Sequence, residues 1–221
     1  MTFAGQKKSA TAKADGKWMV KLKAMPVSAE SRSLTVTDAV THESITVTDV
    51  LVGDVWLCSG QSNMEMGIGL CNASNDIASA DFPLLRLLTV PHRISNEPVA
   101  DVSCRWLPCS PENVMQAAWG GFSAAAFYFG RDLQRELNIP IGLIHSSWGG
   151  TIAEAWTSAE GLEPVGDFDE AVKQFRASGN SKDKENYAHV YDKWCAEKDP
   201  GTKQGWEKLA SADAAWKSVE M

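Results

Sequence analysis

Hydrophobic and polar residues alternate along the first part of the chain. Three segments show this pattern, namely KWMVKLKAM at 17–25, SLTVTDAV at 33–40 and SITVTDVLV at 44–52. Alternation with a period of two, together with many Val and Thr residues, is typical of half-buried strands. Residues 1–50 are therefore predicted to form a β-rich module, with its strands arranged as a small antiparallel sheet.

The pattern changes near Gly53, where short continuous apolar runs replace the alternation. These runs are VWLC at 55–58, LLRLLTV at 84–90 and IPIGLIH at 139–145. Uninterrupted apolar runs of this length, bounded by turn residues, indicate strands that are buried on both faces. The stretch 91–121 contains Pro, Cys and Trp without clear periodicity and is predicted to be a loop.

Helical periodicity is clearest just before the last of these strands. Apolar residues recur every three or four positions and the run stops before Pro140, which predicts one amphipathic helix. The residues that define it are Phe122, Ala126, Phe129, Leu133 and Leu137. The order of helix, strand, glycine turn and further helix indicates an α/β domain with a largely parallel sheet over residues 51–160. Residues 161–221 are charged and rich in helix-favouring Lys, Glu and Ala, and are predicted to be a helical insertion.

Two polar turns follow predicted strands and are the candidates for chemistry. The first is GQSNM at 60–64 and the second is SSWGGT at 146–151. Because ligands bind at the carboxyl ends of parallel strands, the two turns are expected to face one crevice. Ser62 is compatible with two interpretations, a nucleophile or a helix cap. The second applies because Ser62-x-x-Glu65 is also a capping-box pattern, in which a backbone N–H would occupy the serine hydroxyl. Thr151 starts a second such pattern, which predicts another helix.

Three stretches together resemble a known family. VLVGDVWLCSGQSNMEM, FSAAAFYFGRDLQRELNIPIGLI and SSWGGTIAEAW are similar to the sialate O-acetylesterase group of SGNH hydrolases, which is related to acetylxylan esterases. The likeness covers about residues 3–160 and corresponds to the N-terminal half of such an enzyme. The predicted fold class is α/β: a partial SGNH-hydrolase-like three-layer sheet, preceded by the β-rich module and followed by the helical insertion.

The resemblance also implies roles for individual residues. Ser62 matches the serine nucleophile of the family, and its backbone N–H and that of Gly149 or Gly150 would form the oxyanion hole. The alternative for the two glycines is a tight turn that requires positive φ. Gln61 and Asn63 flank Ser62 and are candidates for orienting it or the sugar, with turn chemistry as the alternative, and Trp148 is a candidate sugar platform. Trp148 is equally compatible with a core position, whereas Trp56 and Cys58 are predicted to be core residues.

A serine nucleophile needs a base, and the sequence does not supply the expected one. The resemblance implies an Asp-x-x-His pair and a Gln-Gly-Glu stretch, and neither occurs in these 221 residues. The histidines His42, His92 and His189 are predicted to be surface residues. His145 ends a strand beside SSWGG and is the one substitute base to test, against the alternative of a packing role.

Three hypotheses for function follow from these features. The first is a serine esterase that removes O-acetyl groups from a carbohydrate, such as sialic acid or a related sugar. The second is the same esterase with its base supplied by a second polypeptide or a domain-swapped partner. The third is a catalytically incomplete sugar-binding or structural module. In each case the expected partner is an acetylated sugar or glycan.

Composition and charge argue against several further kinds of partner and ligand. A formal net charge of −7 argues against a nucleic-acid partner, and the longest apolar runs are too short for a membrane span. Five cysteines at irregular spacing match neither a zinc site nor a disulfide framework, so no metal and no cofactor is predicted. The first 18 residues lack the apolar core of a signal peptide, although an exported or periplasmic protein is compatible with the resemblance. Half a sheet would expose an edge, so self-association or binding of a missing C-terminal half is expected.

Overall fold

The β-rich module folds into a four-stranded antiparallel sheet. The computed structural model describes residues 1–95, 98–117, 119–177 and 187–206. The strand order is β2-β1-β3-β4, where the strands are β1 Thr2–Phe3, β2 Gln6–Lys7, β3 Ser28–Thr37 and β4 Ser44–Val52. The prediction of a strand at 17–25 is wrong. There the Lys23 N–H donates to the Gln6 side chain at 2.8 Å, so a side chain and not a neighbouring strand holds this segment.

The α/β prediction is confirmed by a second sheet with the order β5-β8-β6-β7. Its strands are β5 Asp54–Gly60, β6 Phe82–Thr89, β7 Leu107–Cys109 and β8 Ile141–Ser147. β8 lies parallel to both β5 and β6, whereas β7 runs antiparallel to β6. β7 falls within the stretch 91–121, so the prediction of a loop there is wrong at this strand.

Three helices and three 3₁₀ turns accompany this sheet. The helices are α1 Ser62–Glu65, α2 Ser74–Ala78 and α3 Ala124–Leu137, and the turns are Ile68–Leu70, Asn113–Met115 and Ala153–Trp156. α3 is the helix that the periodicity predicted. The Ser123 hydroxyl accepts the Ala126 N–H at 3.1 Å at its start, and Asn138 ends it in the left-handed conformation.

The core lies between α3 and one face of the parallel sheet. Phe127, Ile141 and Leu143 are fully buried there. Gly130 permits this close packing, because a Cβ at that position would lie 2.5 Å from Leu143. The buried phenylalanine of α3 is therefore Phe127, and Phe129 from the predicted apolar set is 43% exposed.

Trp56 does not lie in the core as predicted. Its ring meets that of Phe129 edge-on, at 5.1 Å between centroids, and it remains 43% exposed. Trp56 lies on β5, which is the outermost strand of this sheet among the described residues. Cys58 is 7% exposed, which confirms its prediction, and burial raises the pKa of its thiol.

The opposite face of the parallel sheet presents apolar side chains to solvent. Val55 and Leu57 of β5 point away from the core face and are 61% and 69% exposed. Next to them, the Trp106 ring lies over Gly142, 3.1 Å from where a Cβ would be. Parallel sheets are ordinarily covered on both faces, so this surface favours association.

Substituting Leu57 with lysine is expected to weaken self-association of the chain, because a charge would then interrupt the exposed apolar face. Sedimentation velocity over a concentration series would measure the weight-average mass. Val40→Lys is the matched control, since Val40 is 87% exposed in a turn of the other sheet. A Leu57→Lys variant that associates as strongly as the unaltered chain would contradict this expectation.

The chain divides into two units, Met1–Gly161 and Leu162–Met221. α4 (Ala159–Leu162) spans the division and is followed by a 3₁₀ turn at Glu163–Val165. The remaining helices are α5 Asp169–Ala177, α6 Tyr187–Glu197 and α7 Pro200–Gln204. They confirm the predicted helical character as far as residue 206, while 178–186 and 207–221 lie outside the described residues. None of the described helices combines the length and apolar character that crossing a membrane requires.

Candidate active site

The two polar turns meet at the carboxyl ends of β5 and β8. These strands pair in register, with Gly60 opposite Ser147, so the segments that follow them start side by side. The Trp148 N–H donates to the Gly60 carbonyl at 3.2 Å. The Gln61 side chain donates to the carbonyl of Thr151. The structure therefore brings GQSNM and SSWGGT together, as expected for loops at this edge of a parallel sheet.

Ser62 is the first residue of α1 and is exposed. The residue before the helix is Gln61, whose side chain makes no capping hydrogen bond, while its carbonyl accepts the Met64 and Glu65 N–H groups. Among the described residues the Ser62 hydroxyl has no hydrogen-bond partner. The capping-box interpretation of Ser62 is therefore wrong, and its hydroxyl is free to meet a substrate.

Glu65 links α1 to the glycine turn. One carboxylate oxygen, Oε2, accepts the Gly149 N–H, and the other, Oε1, lies 3.2 Å from His92 Nε2. Only 14% of the Glu65 side chain is exposed. The sequence indicated a role for Glu65 only as the last residue of the Ser62-x-x-Glu65 capping pattern. Its partners are 84 and 27 positions away, so no local signal could have identified this role.

His92 is exposed, as predicted for a surface residue, and it also lies at the crevice. Its ring stacks on Trp148 at 4.1 Å between centroids with 4° between the planes. His92 Nε2 is also 2.8 Å from the Ser147 carbonyl, which can only accept, so Nε2 bears the hydrogen. One face of Trp148 is thus covered by His92.

The two glycines of the turn differ in what their N–H groups do. The Gly149 N–H is occupied by Glu65, whereas the Gly150 N–H has no acceptor among the described residues. Glycine at 149 permits the close approach of the turn, since a Cβ would lie 2.9 Å from Glu65 Oε2 and 3.3 Å from Ser62 Cβ. Gly150 has a φ of 75° and open space beside it.

The second capping-box prediction, at Thr151, is also wrong. The Thr151 hydroxyl donates to the Trp148 carbonyl at 2.7 Å and so closes the glycine turn. It also accepts the Trp156 indole N–H at 2.8 Å. Ile152 precedes the 3₁₀ turn that follows, and it provides no side-chain cap.

His145 is buried and paired with a different serine. It is 4% exposed, and its Nε2 lies 2.6 Å from Ser147 Oγ. The Phe122 ring meets it edge-on at 5.4 Å. Burial lowers the pKa of His145, and the nearby charge of Glu65 opposes this shift. These contacts give His145 the packing and hydrogen-bonding role that was the alternative to a base for Ser62.

Stability is expected to fall as the pH drops through the His145 titration. Because the pKa of folded His145 lies below 6.5, the unfolded chain binds a proton that the folded chain does not. The free energy of unfolding should therefore decrease below about pH 6.5, by at most about 1.4 kcal/mol per pH unit.

Urea unfolding at a series of pH values would measure this dependence, and His145→Gln should flatten it. His42→Gln is the matched control, because His42 is exposed in a turn. An unchanged slope in His145→Gln would assign the pH dependence to other groups.

The remaining sequence predictions concern Asn63, His189 and a metal site. Asn63 is exposed and has no described hydrogen bond, so its predicted role as an orienting residue stays a prediction. The side chain of His189 lies outside the described residues. Among the described residues, no three His, Cys, Asp or Glu side chains are grouped as a metal site would require.

A cavity of about 150 Å³ lies at the carboxyl end of β6, beside the crevice strand β8. Thr89 lines it and pairs with His145 across the two strands. Its other lining residues are Leu87, Arg105, Leu107, Asn113, Gln116, Ala117 and Phe122. Its volume is below the range of about 300 to 1,000 Å³ usual for small-molecule sites, so it could hold a substituent but not a whole sugar.

Comparison with known proteins finds acetylesterases. The chain is 41% identical over 128 residues to the sialate O-acetylesterases of Pongo abelii and Homo sapiens, covering 56% of this chain and 24% of each relative. The rat sialate O-acetylesterase is 40% identical over 131 residues. No family model matches the chain. The resemblance predicted from the motifs is confirmed, and the chain spans about a quarter of the length of these relatives.

A solved structure is similar as well. The crystal structure of a carbohydrate acetylesterase from Xanthomonas citri matches with a TM-score of 0.61 and 34% sequence identity. The match covers 68% of this chain and 33% of that one. It confirms the predicted fold class, an α/β fold of the SGNH type.

Proposed function

We propose that this relative of the sialate O-acetylesterases forms part of a serine esterase that removes O-acetyl groups from carbohydrates. The main supporting observation is the exposed Ser62 hydroxyl, which has no partner among the described residues and lies beside the glycine turn. A serine in this position can reach an acetyl carbonyl that enters the crevice. The acetylated carbohydrate is proposed from the names of the similar proteins.

The proposed reaction is acyl transfer to Ser62. Its oxygen attacks the acetyl carbonyl carbon, and the carbonyl π electrons move to the oxygen to give a tetrahedral oxyanion. The N–H groups of Ser62 and Gly150 are proposed as the donors to this oxyanion, since the Gly149 N–H already binds Glu65. Collapse breaks the bond to the sugar oxygen, which leaves as an alcohol with the proton from Ser62. Water then hydrolyses the acetyl-serine to acetate.

The proton transfers require a base that the described residues do not place on Ser62. The nitrogen of His145 that forms a hydrogen bond is paired with Ser147, and His92 Nε2 donates toward the Ser147 carbonyl and Glu65. The proposal therefore assigns the base to a group outside the described residues, which a second polypeptide or a domain-swapped partner could supply. In its absence the first acylation would be slow and the acetyl-serine would persist, because its hydrolysis needs the same base.

A second candidate function is a sugar-binding module without turnover. The observation in its favour is the same commitment of His145 and His92 to other partners. Such a module would keep the crevice and bind an acetylated sugar without forming an acetyl-enzyme.

The test is to expose the chain briefly to 4-nitrophenyl acetate and to O-acetylated sugars, and to record intact mass and released acetate. An acetyl adduct that maps to the peptide containing Ser62 supports the esterase. The control is the urea-unfolded chain, which should acquire no acetyl group at Ser62. Saturable sugar binding with neither adduct nor acetate would support the binding module, and absence of both would overturn the two proposals.

A further inference from the structure

Glu65 occupies a position between the two loops that the proposed reaction brings together. It is three residues from Ser62 along the nucleophile helix, and its Oε2 accepts the N–H of Gly149 in the other loop. A carboxylate that is 14% exposed is costly to hold unless its oxygens are hydrogen-bonded. Both Glu65 carboxylate oxygens have a partner here, so the cost of burying the charge is offset.

The second partner of the Glu65 carboxylate is His92. His92 Nε2 lies 3.2 Å from Glu65 Oε1 and 2.8 Å from the Ser147 carbonyl, at the end of β8. The His92 ring is in turn held flat against Trp148, the residue before Gly149. Glu65 therefore binds the glycine turn at Gly149, and His92 contacts the two residues just before it.

The contact between Glu65 and Gly149 determines which backbone N–H of the turn is left to face Ser62. Gly149 packs so closely that a Cβ would lie 3.3 Å from Ser62 Cβ, yet its own N–H is directed at Glu65. The Gly150 N–H belongs to the next peptide, which is joined to this one through the φ and ψ of Gly149, so holding the first peptide in place restrains the second. A free Gly149 N–H would allow the turn to rotate and would displace the Gly150 N–H.

We propose that Glu65 is a positioning residue, which holds the glycine turn against Ser62 so that the Gly150 N–H serves as the oxyanion donor, with His92 as its support. This inference rests on the proposed function, since it assigns a role within the same site. Glu65 acts through Gly149 and touches no reacting atom. Trp148 contributes by keeping the His92 ring in plane.

The first measurement is amide hydrogen exchange of Gly149 by NMR, using ¹⁵N-glycine labelling. Glu65→Ala removes the acceptor, so Gly149 exchange is expected to rise at least tenfold. Glu65→Gln keeps a carbonyl oxygen that can still accept the N–H and should retain part of the protection. Glu43→Ala is the matched control, because Glu43 is exposed in the other sheet. Equal Gly149 exchange in Glu65→Ala and the unaltered chain would overturn the proposal.

The second measurement is the rate of Ser62 acetylation or acetyl-ester hydrolysis by the same variants. Losing one oxyanion donor costs about 10² to 10³ in rate, so kcat is expected to fall toward that extent in Glu65→Ala and less in Glu65→Gln. KM should change little, since Glu65 is not proposed to touch the sugar. Unchanged kcat in Glu65→Ala despite faster Gly149 exchange would overturn the role in catalysis.

The two measurements separate this inference from the proposed function. If the unaltered chain neither hydrolyses nor acquires an acetyl group, the esterase proposal fails for this chain. The exchange of Gly149 would still decide whether Glu65 holds the turn. Circular dichroism of each variant would show that a change in exchange is local and not a loss of the fold.

Discussion

Replacing Ser62 with alanine is expected to abolish acetyl transfer, with a rate loss of at least about 10³-fold. The Ser62 hydroxyl is the proposed attacking group, because it is exposed beside the glycine turn and has no hydrogen-bond partner among the described residues. Because that hydroxyl forms no described hydrogen bond, its removal should leave the free energy of unfolding nearly unchanged. Stopped-flow release of 4-nitrophenol, with intact mass recorded in parallel, would measure both the burst and the adduct.

The matched control for this experiment is Ser59→Ala. Ser59 is an exposed serine on β5, three residues before Ser62. Its loss should leave the burst and the adduct as they are in the unaltered chain. If Ser62→Ala still acquired the acetyl group, another residue would be the nucleophile and the proposed function would have to be reassigned.

Replacing Phe127 with alanine is expected to lower the free energy of unfolding by about 3 to 5 kcal/mol, the usual cost of emptying a buried phenylalanine site. Phe127 is fully buried between α3 and the parallel sheet. Its ring meets Phe82 at 6.3 Å and Tyr128 at 5.3 Å, both edge-on, and the substitution removes both contacts along with the buried ring. Urea denaturation followed by circular dichroism would measure the change.

Phe129→Ala provides a matched control on the same helix. Phe129 is 43% exposed and its main described contact is the edge of Trp56, so its loss should cost only about 1 kcal/mol. Comparable destabilisation by the two substitutions would mean that the buried face of α3 is not the one described. A Phe127→Ala chain that fails to fold would still support the larger cost if Phe129→Ala folds normally.

The elements that could be predicted from the sequence are those with strong local patterns. β5, β6 and β8 appear as apolar runs, and α3 has both clear periodicity and a stop before Pro140. The pattern placed Phe129 in the apolar stripe and left Phe127 out, whereas the structure buries Phe127. The choice depends on Gly130 and Leu143, whose close contact sets how the helix lies on the sheet.

The candidate site was predicted in part. The two motifs placed Ser62 and the glycine turn together, because parallel strands bring their carboxyl ends to one edge. The capping patterns at Ser62 and Thr151 were misleading, since a Ser or Thr followed by Glu three residues later is common and tertiary contacts decide its role. Glu65 and His92 could not be paired from the sequence, because their meeting depends on β5, β6 and β8 lying side by side.

β5 is the strand that leads to Ser62, and it is also the outermost strand of its sheet. An edge strand holds hydrogen bonds on one side only, so its local opening requires less free energy than that of β8 or β6. Such opening would separate Ser62 and Glu65 from the glycine turn in a single event. Anything that pairs with the free edge of β5 would therefore stabilise the assembled site by mass action, which couples association of the chain to its reactivity.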